Sequence, residues 1–138
     1  MLNPDFPIIK GEFQMTKNWS INLPIDFNKR IEEGSLVIWK KDFTIWINVL
    51  GSEKFTKKEQ INFVKNNISK DHYDFFEENE SGLYRFKYKL DEFEDCLEVN
   101  TFVFGELGYV QMSFYYDNDK DTDIVNKIWR SVKENAHA

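Results

Sequence analysis

The residues best suited to bond-breaking are few in this chain. Cys96 is the only cysteine, and His72 and His137 are the only histidines. A catalytic side chain needs a partner within hydrogen-bond reach. His137 sits next to the C-terminus, which leaves a Cys96–His72 dyad as the one arrangement to weigh. Cys96 alternates into a strand pattern, where a free cysteine packs as a small hydrophobe. His72, flanked by Asp71 and Asp74, reads as a surface residue. A single thiol can form neither an intramolecular disulfide nor a Cys-based zinc site.

The run Asp117-Asn118-Asp119-Lys120-Asp121-Thr122-Asp123 has the composition of a calcium loop. An EF-hand needs Gly at the sixth position and Glu at the twelfth. A loop starting at Asp117 places Thr122 and Ile128 there, and one starting at Asp119 places Ile124 and Arg130. Both frames fail, and the run is expected to be a turn whose Asp side chains cap the next helix. Two other acidic clusters stand out: Glu77, Glu78 and Glu80, and Asp91, Glu92, Glu94 and Asp95. Paired carboxylates do glycosidase-type work only when fixed about 5–10 Å apart around a cleft, and both clusters lie in polar connecting stretches. They read as solvated loops, or as a docking surface for a basic partner. Gly105-Glu106-Leu107-Gly108 lacks the pattern of a phosphate loop, and neither a Gly-x-Ser-x-Gly elbow nor a His-Glu-x-x-His run occurs. The expectation is therefore no catalytic residue, no cofactor and no metal.

The elements that would position these residues can be read from periodicity. Pro4 and Pro7 make residues 1–10 an extended arm, and residues 11–138 form a single domain. Trp19 to Leu23 reads as a short edge strand stopped by Pro24. Leu36–Trp39 and Phe43–Leu50 form a hairpin across Lys40-Lys41-Asp42. Phe43, Ile45, Ile47 and Val49 share one face of the second strand, while Trp46 and Leu50 make the other partly apolar, so this strand is expected to be covered on both sides. Trp39 and Trp46 are expected to lie beneath a helix.

Thr56-Lys57-Lys58-Glu59 has capping-box spacing, and Ile61, Val64 and Ile68 then follow at helical spacing, so a helix is predicted over 57–68. Residues 71–80 are acidic and give no clear pattern; Phe75-Phe76 reads either as a short strand or as the anchor of a loop. Tyr84, Phe86, Tyr88 and Leu90 alternate with Arg85, Lys87 and Lys89, which is a half-buried strand whose basic face meets solvent or acidic neighbours. Leu97–Phe104 and Tyr109–Tyr116 pair through the turn at Gly105–Gly108. Ile124, Val125, Ile128, Trp129 and Val132 form the stripe of a last helix, with Asp119, Asp121 and Asp123 at its start and Lys127, Arg130 and Lys133 toward its end, as the helix dipole favours.

These elements predict an α+β domain. It has a largely antiparallel sheet of about six strands, a helix after the first strands, and a C-terminal helix packed on the sheet in a helix–sheet–helix sandwich. The net charge of −6 over 138 residues opposes nucleic-acid binding. The longest apolar run, Leu36-Val37-Ile38-Trp39, is far short of the roughly twenty residues of a membrane span. Met1–Pro7 has neither the basic nor the apolar region of a secretory signal, so a cytoplasmic address is expected.

Trp19 with Leu23-Pro24, the Leu36–Trp39 and Phe43–Val49 pair, the turn at Gly105–Gly108 and the closing helix with Ile128-Trp129 together resemble the PsbP-like fold over about residues 12–134. That fold also serves bacterial chaperones that accompany type VI secretion effectors. The acidic, aromatic-rich composition is similar in style to small bacterial immunity proteins. These resemblances imply a non-enzymatic protein-binding module for a partner such as a basic toxin or secreted effector. They assign no residue, and the docking surface expected for that partner is the one the charge clusters offer, Glu77, Glu78, Glu80, Asp91, Glu92, Glu94 and Asp95. The alternatives are a domain that binds a small hydrophobic ligand and, behind it, an acid-only hydrolase.

Overall fold

The computed structural model of the chain describes residues 2–135. Met1 and residues 136–138, His137 among them, lie outside it. One antiparallel path joins β1 (Ile8–Gln14), β2 (Trp19–Glu32), β3 (Ser35–Lys40), β4 (Phe43–Leu50), β8 (Gly108–Tyr116), β7 (Leu97–Gly105), β6 (Leu83–Leu90) and β5 (Tyr73–Glu80), in that spatial order. The two-residue strand β9 (Lys133–Glu134) adds to the start of β2. The helices are α1 (Lys57–Asn66) and α2 (Thr122–Ser131), the latter preceded by a 3-10 turn at Asp119–Asp121. Two four-strand meanders thus meet along one seam, β4 against β8, where Phe43 opposes Tyr116 and Leu50 opposes Tyr109.

The α+β class and the antiparallel sheet agree with the sequence expectation, but among the described residues the sheet has nine strands where about six were expected. The additions are β1, β5 and β9. Ile8, Ile9 and Lys10, expected in an extended N-terminal arm, belong to β1. The residues before them lie on the sheet: Asn3 and Asn28 exchange hydrogen bonds of 2.8 and 2.9 Å, and Phe6 packs edge-on against Trp39. Trp19–Leu23 is not a short edge strand either. It opens the fourteen-residue β2, which runs through Pro24 and has β1 on one side and β9 then β3 on the other. Proline is tolerated because the β1–β2 register jumps there, from Gly11–Leu23 to Ile9–Phe27. Inside that bulge the missing N–H breaks no ladder bond.

Strand alternation divides the side chains between two cores. On one face Trp19, Ile21, Leu23, Phe27, Ile38, Phe43, Ile45, Ile47, Met112 and Phe114 bury against Val125, Ile128 and Trp129 of α2 and Val132 at its C-terminal cap. On the other, Tyr84, Phe86, Tyr88, Phe102 and Phe104 bury against Ile61 and Val64 of α1 and Ile68 just after it, since the helix ends at Asn66 and not at residue 68 as expected. The aromatics of this second core lie nearly parallel, Phe86 on Phe102 at 5.0 Å. The capping box forms as expected: Glu59 N–H donates to the Thr56 hydroxyl, and Thr56 N–H donates to the Glu59 carboxylate. The start of α2 differs from expectation. Asn118 supplies the cap, accepting from Lys120 N–H ahead of the 3-10 turn, and Asp121 at the N-cap makes no side-chain bond. The intervening turn moves the aspartates out of capping position, though Asp123 still lies in the first helical turn.

Among the described residues no helix covers Trp39 and Trp46, where one was expected. The core under α1 is built from β6, β7 and Tyr109, and Trp46 belongs to neither core. Trp39 is instead covered by Phe6 and by the Arg30 guanidinium 4.5 Å from its ring centre. The basic face of β6 is deeper than alternation implied. Arg85 is 2% exposed and reaches Glu80 at 3.0 Å and Glu78 at 3.6 Å. Lys87 bonds Asn126 of α2.

Candidate functional site

The α1 face is where the molecule leaves chemistry uncovered, because α1 spans only part of it. Three zones run down this face from the 51–56 loop to the 91–96 loop. At the upper end a cleft of about 770 Å³ opens between α1 and the sheet, lined by Leu50, Phe55, Phe63, Tyr109, Gln60 and Glu59. Phe63 and Phe55 stand 67% and 56% exposed, although apolar groups gain from leaving water. A second cleft of about 910 Å³ with mixed polarity, including Glu53, Lys57 and Glu106, lies beyond Gln60. The middle zone is the row of half-buried Trp46 and Ser113 and buried Asn100, placed side by side by the β4–β8 and β8–β7 registers.

At the lower end Glu98 is buried to 5% exposure. Its Oε2 accepts from Asn100 Nδ2 at 2.9 Å, and the Ser113 hydroxyl donates to Asn100 Oδ1 at 2.6 Å. The other oxygen, Oε1, is buried without a hydrogen-bond partner among the described residues. Tyr115 is the cross-strand neighbour of Glu98, and Phe93 from the 91–96 loop rests edge-on against Tyr115 at 5.7 Å. Burial raises the Glu98 carboxyl above its ordinary range; Asn100 works the other way, and the nearby charge of Glu92 adds to the rise.

A carboxyl raised by folding takes up a proton more readily folded than unfolded. Its burial therefore costs nothing in acid and destabilises the fold increasingly as pH climbs from 4.5, the ordinary carboxyl value, through the raised one. Glu98→Gln keeps an acceptor for Asn100 and removes the charge. The variant is expected to be more stable than the parent by roughly 1 kcal/mol at neutral pH, with the difference vanishing in acid. Urea unfolding at several pH values measures it, and a gap that widens in acid contradicts the assignment.

The residues singled out from sequence fall into two groups. Glu77, Glu78 and Glu80 lie on edge strand β5 and alternate between faces. Glu77 accepts from Tyr84 Oη at 2.5 Å and pairs with Lys65 at 3.2 Å, and the Tyr84 bond first, then Lys65, pulls its carboxyl down. Glu78 bridges Arg85 and Arg130 on the α2 face, and Glu80 pairs with Arg85. The second group, Asp91, Glu92, Glu94 and Asp95, occupies the exposed loop over Glu98. Asp91 accepts from Tyr73 Oη at 2.7 Å, which pushes that phenol up to about 12. Among the described residues Glu92, Glu94 and Asp95 make no side-chain hydrogen bond and no ion pair.

Cys96 is half-buried at the foot of this loop rather than inside a strand, and burial first, then Asp117, Glu98 and Asp95, pushes its thiol up. His72 holds the Ser69 carbonyl through Nδ1 at 2.7 Å and packs edge-on against Tyr88 and Phe75. The two side chains do not hydrogen-bond each other. Among the described residues no three His, Cys, Asp or Glu side chains converge as a metal site requires, and no helix is long and apolar enough to cross a membrane. Glu98 itself was missed from sequence. The signal for it was a charged residue two positions from Asn100 inside Leu97–Phe104, a run whose only other polar residues are Asn100 and Thr101.

A crystal structure of a protein from Bacteroides thetaiotaomicron VPI-5482 is similar to this chain, with a TM-score of 0.52 at 15% identity, over 94% of this chain and 50% of that one. At this identity the likeness is one of fold, and the chain spans half the length of that protein. No family model and no curated protein matches the chain.

Proposed function

We propose that the chain is a non-enzymatic protein-binding module that masks, neutralises or chaperones another protein through the face that α1 leaves open. The observation that carries this reading is the pairing, on one face, of an exposed aromatic cleft with an acidic loop whose carboxylates lack counterions. An exposed apolar patch beside polar groups is the ordinary mark of an interaction surface, and aromatic anchors inside charged surroundings supply most of the energy in such contacts. The shape of the cleft between α1 and β4–β8 suits the apolar edge of a partner helix, as a chaperone for a secreted effector would need. The acidic loop suits a basic toxin, as an immunity protein would need. The helix–sheet–helix layering also supports the finer fold reading, a PsbP-like sandwich. A cytoplasmic bacterial setting, without cofactor or nucleic acid, goes with this reading. A small hydrophobic ligand in the same cleft is the second reading, favoured by its apolar lining.

The test is a photo-crosslinking residue placed at position 63 in the organism that carries the gene. One protein is expected to be captured at this position and not from position 10 on the distant β1 edge. Phe63→Asp should weaken binding of the purified partner at least about tenfold, the loss of one anchor. Capture spread over many proteins, or equal capture from position 10, sinks the reading. A melting-temperature rise with one apolar compound, and no protein captured, moves it to the ligand-binding alternative.

A further inference from the structure

We propose that the lower end of the open face is a guanidinium site, in which Glu98 receives an arginine side chain of a basic partner segment. The proposal rests on the protein-binding reading and names the chemistry of its partner. Two independent observations meet there. Glu92, Glu94 and Asp95 are exposed and unpaired among the described residues, an uncompensated negative rim. Beneath that rim Glu98 is 5% exposed, with Oε2 taken by Asn100 and Oε1 buried without a partner. A buried carboxylate oxygen left unsatisfied carries a desolvation penalty that an incoming charged donor removes. The rim draws a cation in, and Oε1 gives it one directed acceptor.

The chemistry around Oε1 selects among cations. No cluster of three ligating side chains is present among the described residues, so one oxygen would stand almost alone against a metal ion. Tyr115 lies directly across the strand pair from Glu98, and Phe93 closes over it at 5.7 Å. A planar guanidinium can slide between aromatic groups, stack on them and still direct N–H groups at the carboxylate. An ammonium is compact and strongly hydrated, and gains less from the same walls. Phe93 belongs to the irregular segment between β6 and β7, so its displacement breaks no strand ladder.

The purified chain, labelled with nitrogen-15, is titrated with a hexa-arginine peptide at neutral pH and low salt. The amides of Glu98, Asn100, Ser113 and Tyr115 are expected to shift and saturate together. Glu98→Gln, its fold checked by circular dichroism, should weaken the peptide about tenfold or more, and hexa-lysine should bind several-fold less tightly than hexa-arginine. Glu92→Lys should weaken binding in a way that added salt erases. Unchanged affinity in Glu98→Gln, or shifts confined to residues 91–95, overturns the proposal, because the exposed rim alone would then hold the peptide. Equal responses to the two peptides at Glu98 overturn the guanidinium assignment. The measurement uses a synthetic peptide, so it does not depend on capture at position 63. If the partner is captured and Glu98→Gln binds hexa-arginine unchanged, the site is lost and the module stands.

Discussion

Trp129→Ala lowers the stability of the domain by about 3–5 kcal/mol, the range for emptying a buried aromatic position, and the melting temperature should fall by roughly 10–20 °C. Trp129 is fully buried and sits where α2 meets the β5–β6 end of the sheet. Its ring meets Phe76 edge-on at 6.2 Å, and Lys87 Nζ, Arg130 and Arg85 lie 5.2, 5.7 and 6.0 Å from its centre. The substitution opens a cavity and also strips the partly buried cations of the aromatic surface they rest on. Trp129→Phe separates these effects. The indole nitrogen has no hydrogen-bond partner, so phenylalanine forfeits volume but no hydrogen bond, and less than half of the alanine loss is expected. Calorimetry on both variants checks the pair. Equal melting temperatures for Trp129→Ala and the parent protein would falsify the packing of α2 on the sheet.

Gly108→Ala is the second large effect, expected at about 3 kcal/mol or more. Gly108 starts β8 at φ +113°, a conformation that side chains rarely adopt. A Cβ there would stand 2.3 Å from the Leu50 carbonyl oxygen and 3.2 Å from Gly51 Cα. Both obstacles are backbone, so relief requires moving the end of β4 away from the start of β8. Gly34→Ala is the control. Its φ of +87° is also positive, but nothing lies within 4 Å of the added carbon. It should lose about 1 kcal/mol, the conformational part alone. Denaturant unfolding of both variants isolates the steric part, and similar losses for the two would remove the case for a tight crossing at Gly51–Gly108.

What the sequence made legible follows the reach of each signal. The stripe Ile124–Val132, the capping box at Thr56 and the alternation of Tyr84–Leu90 are local patterns, and all three stand in the structure. Strand β5 carried no pattern because it is an edge strand exposed on both faces, so its Phe75-Phe76 and its glutamates need not alternate. The length of β2 was hidden because Pro24 normally ends a strand, and only the partner register shows that it falls in a bulge. The open half of the α1 face was invisible for another reason. Trp46 fills the same place in an alternation whether a helix covers it or not, and where α1 stops is decided by tertiary packing.

At the candidate site the 91–95 carboxylates were legible as a charge cluster. Their separation from Glu77, Glu78 and Glu80 was not, because that depends on Arg85, Arg130 and Lys65 coming within reach across the fold. Glu98 needed the structure, since a strand pattern cannot tell a carboxylate that reaches water from one that does not.

The seam between β4 and β8 governs how this chain comes together in time. Every other contact along the main path of the sheet joins strands consecutive in the chain, through hairpins that close quickly. The seam alone joins residues about sixty to seventy positions apart, and closing so long a segment is the slow entropic step. Until it closes, the first meander carries Phe43, Ile45 and Ile47 with no α2 above them, and β4, paired on one side with β3, has no strand along its other edge. A nascent chain halted after residue 50 would therefore present a bare apolar sheet and an unprotected strand edge at once, which is the combination that drives self-association.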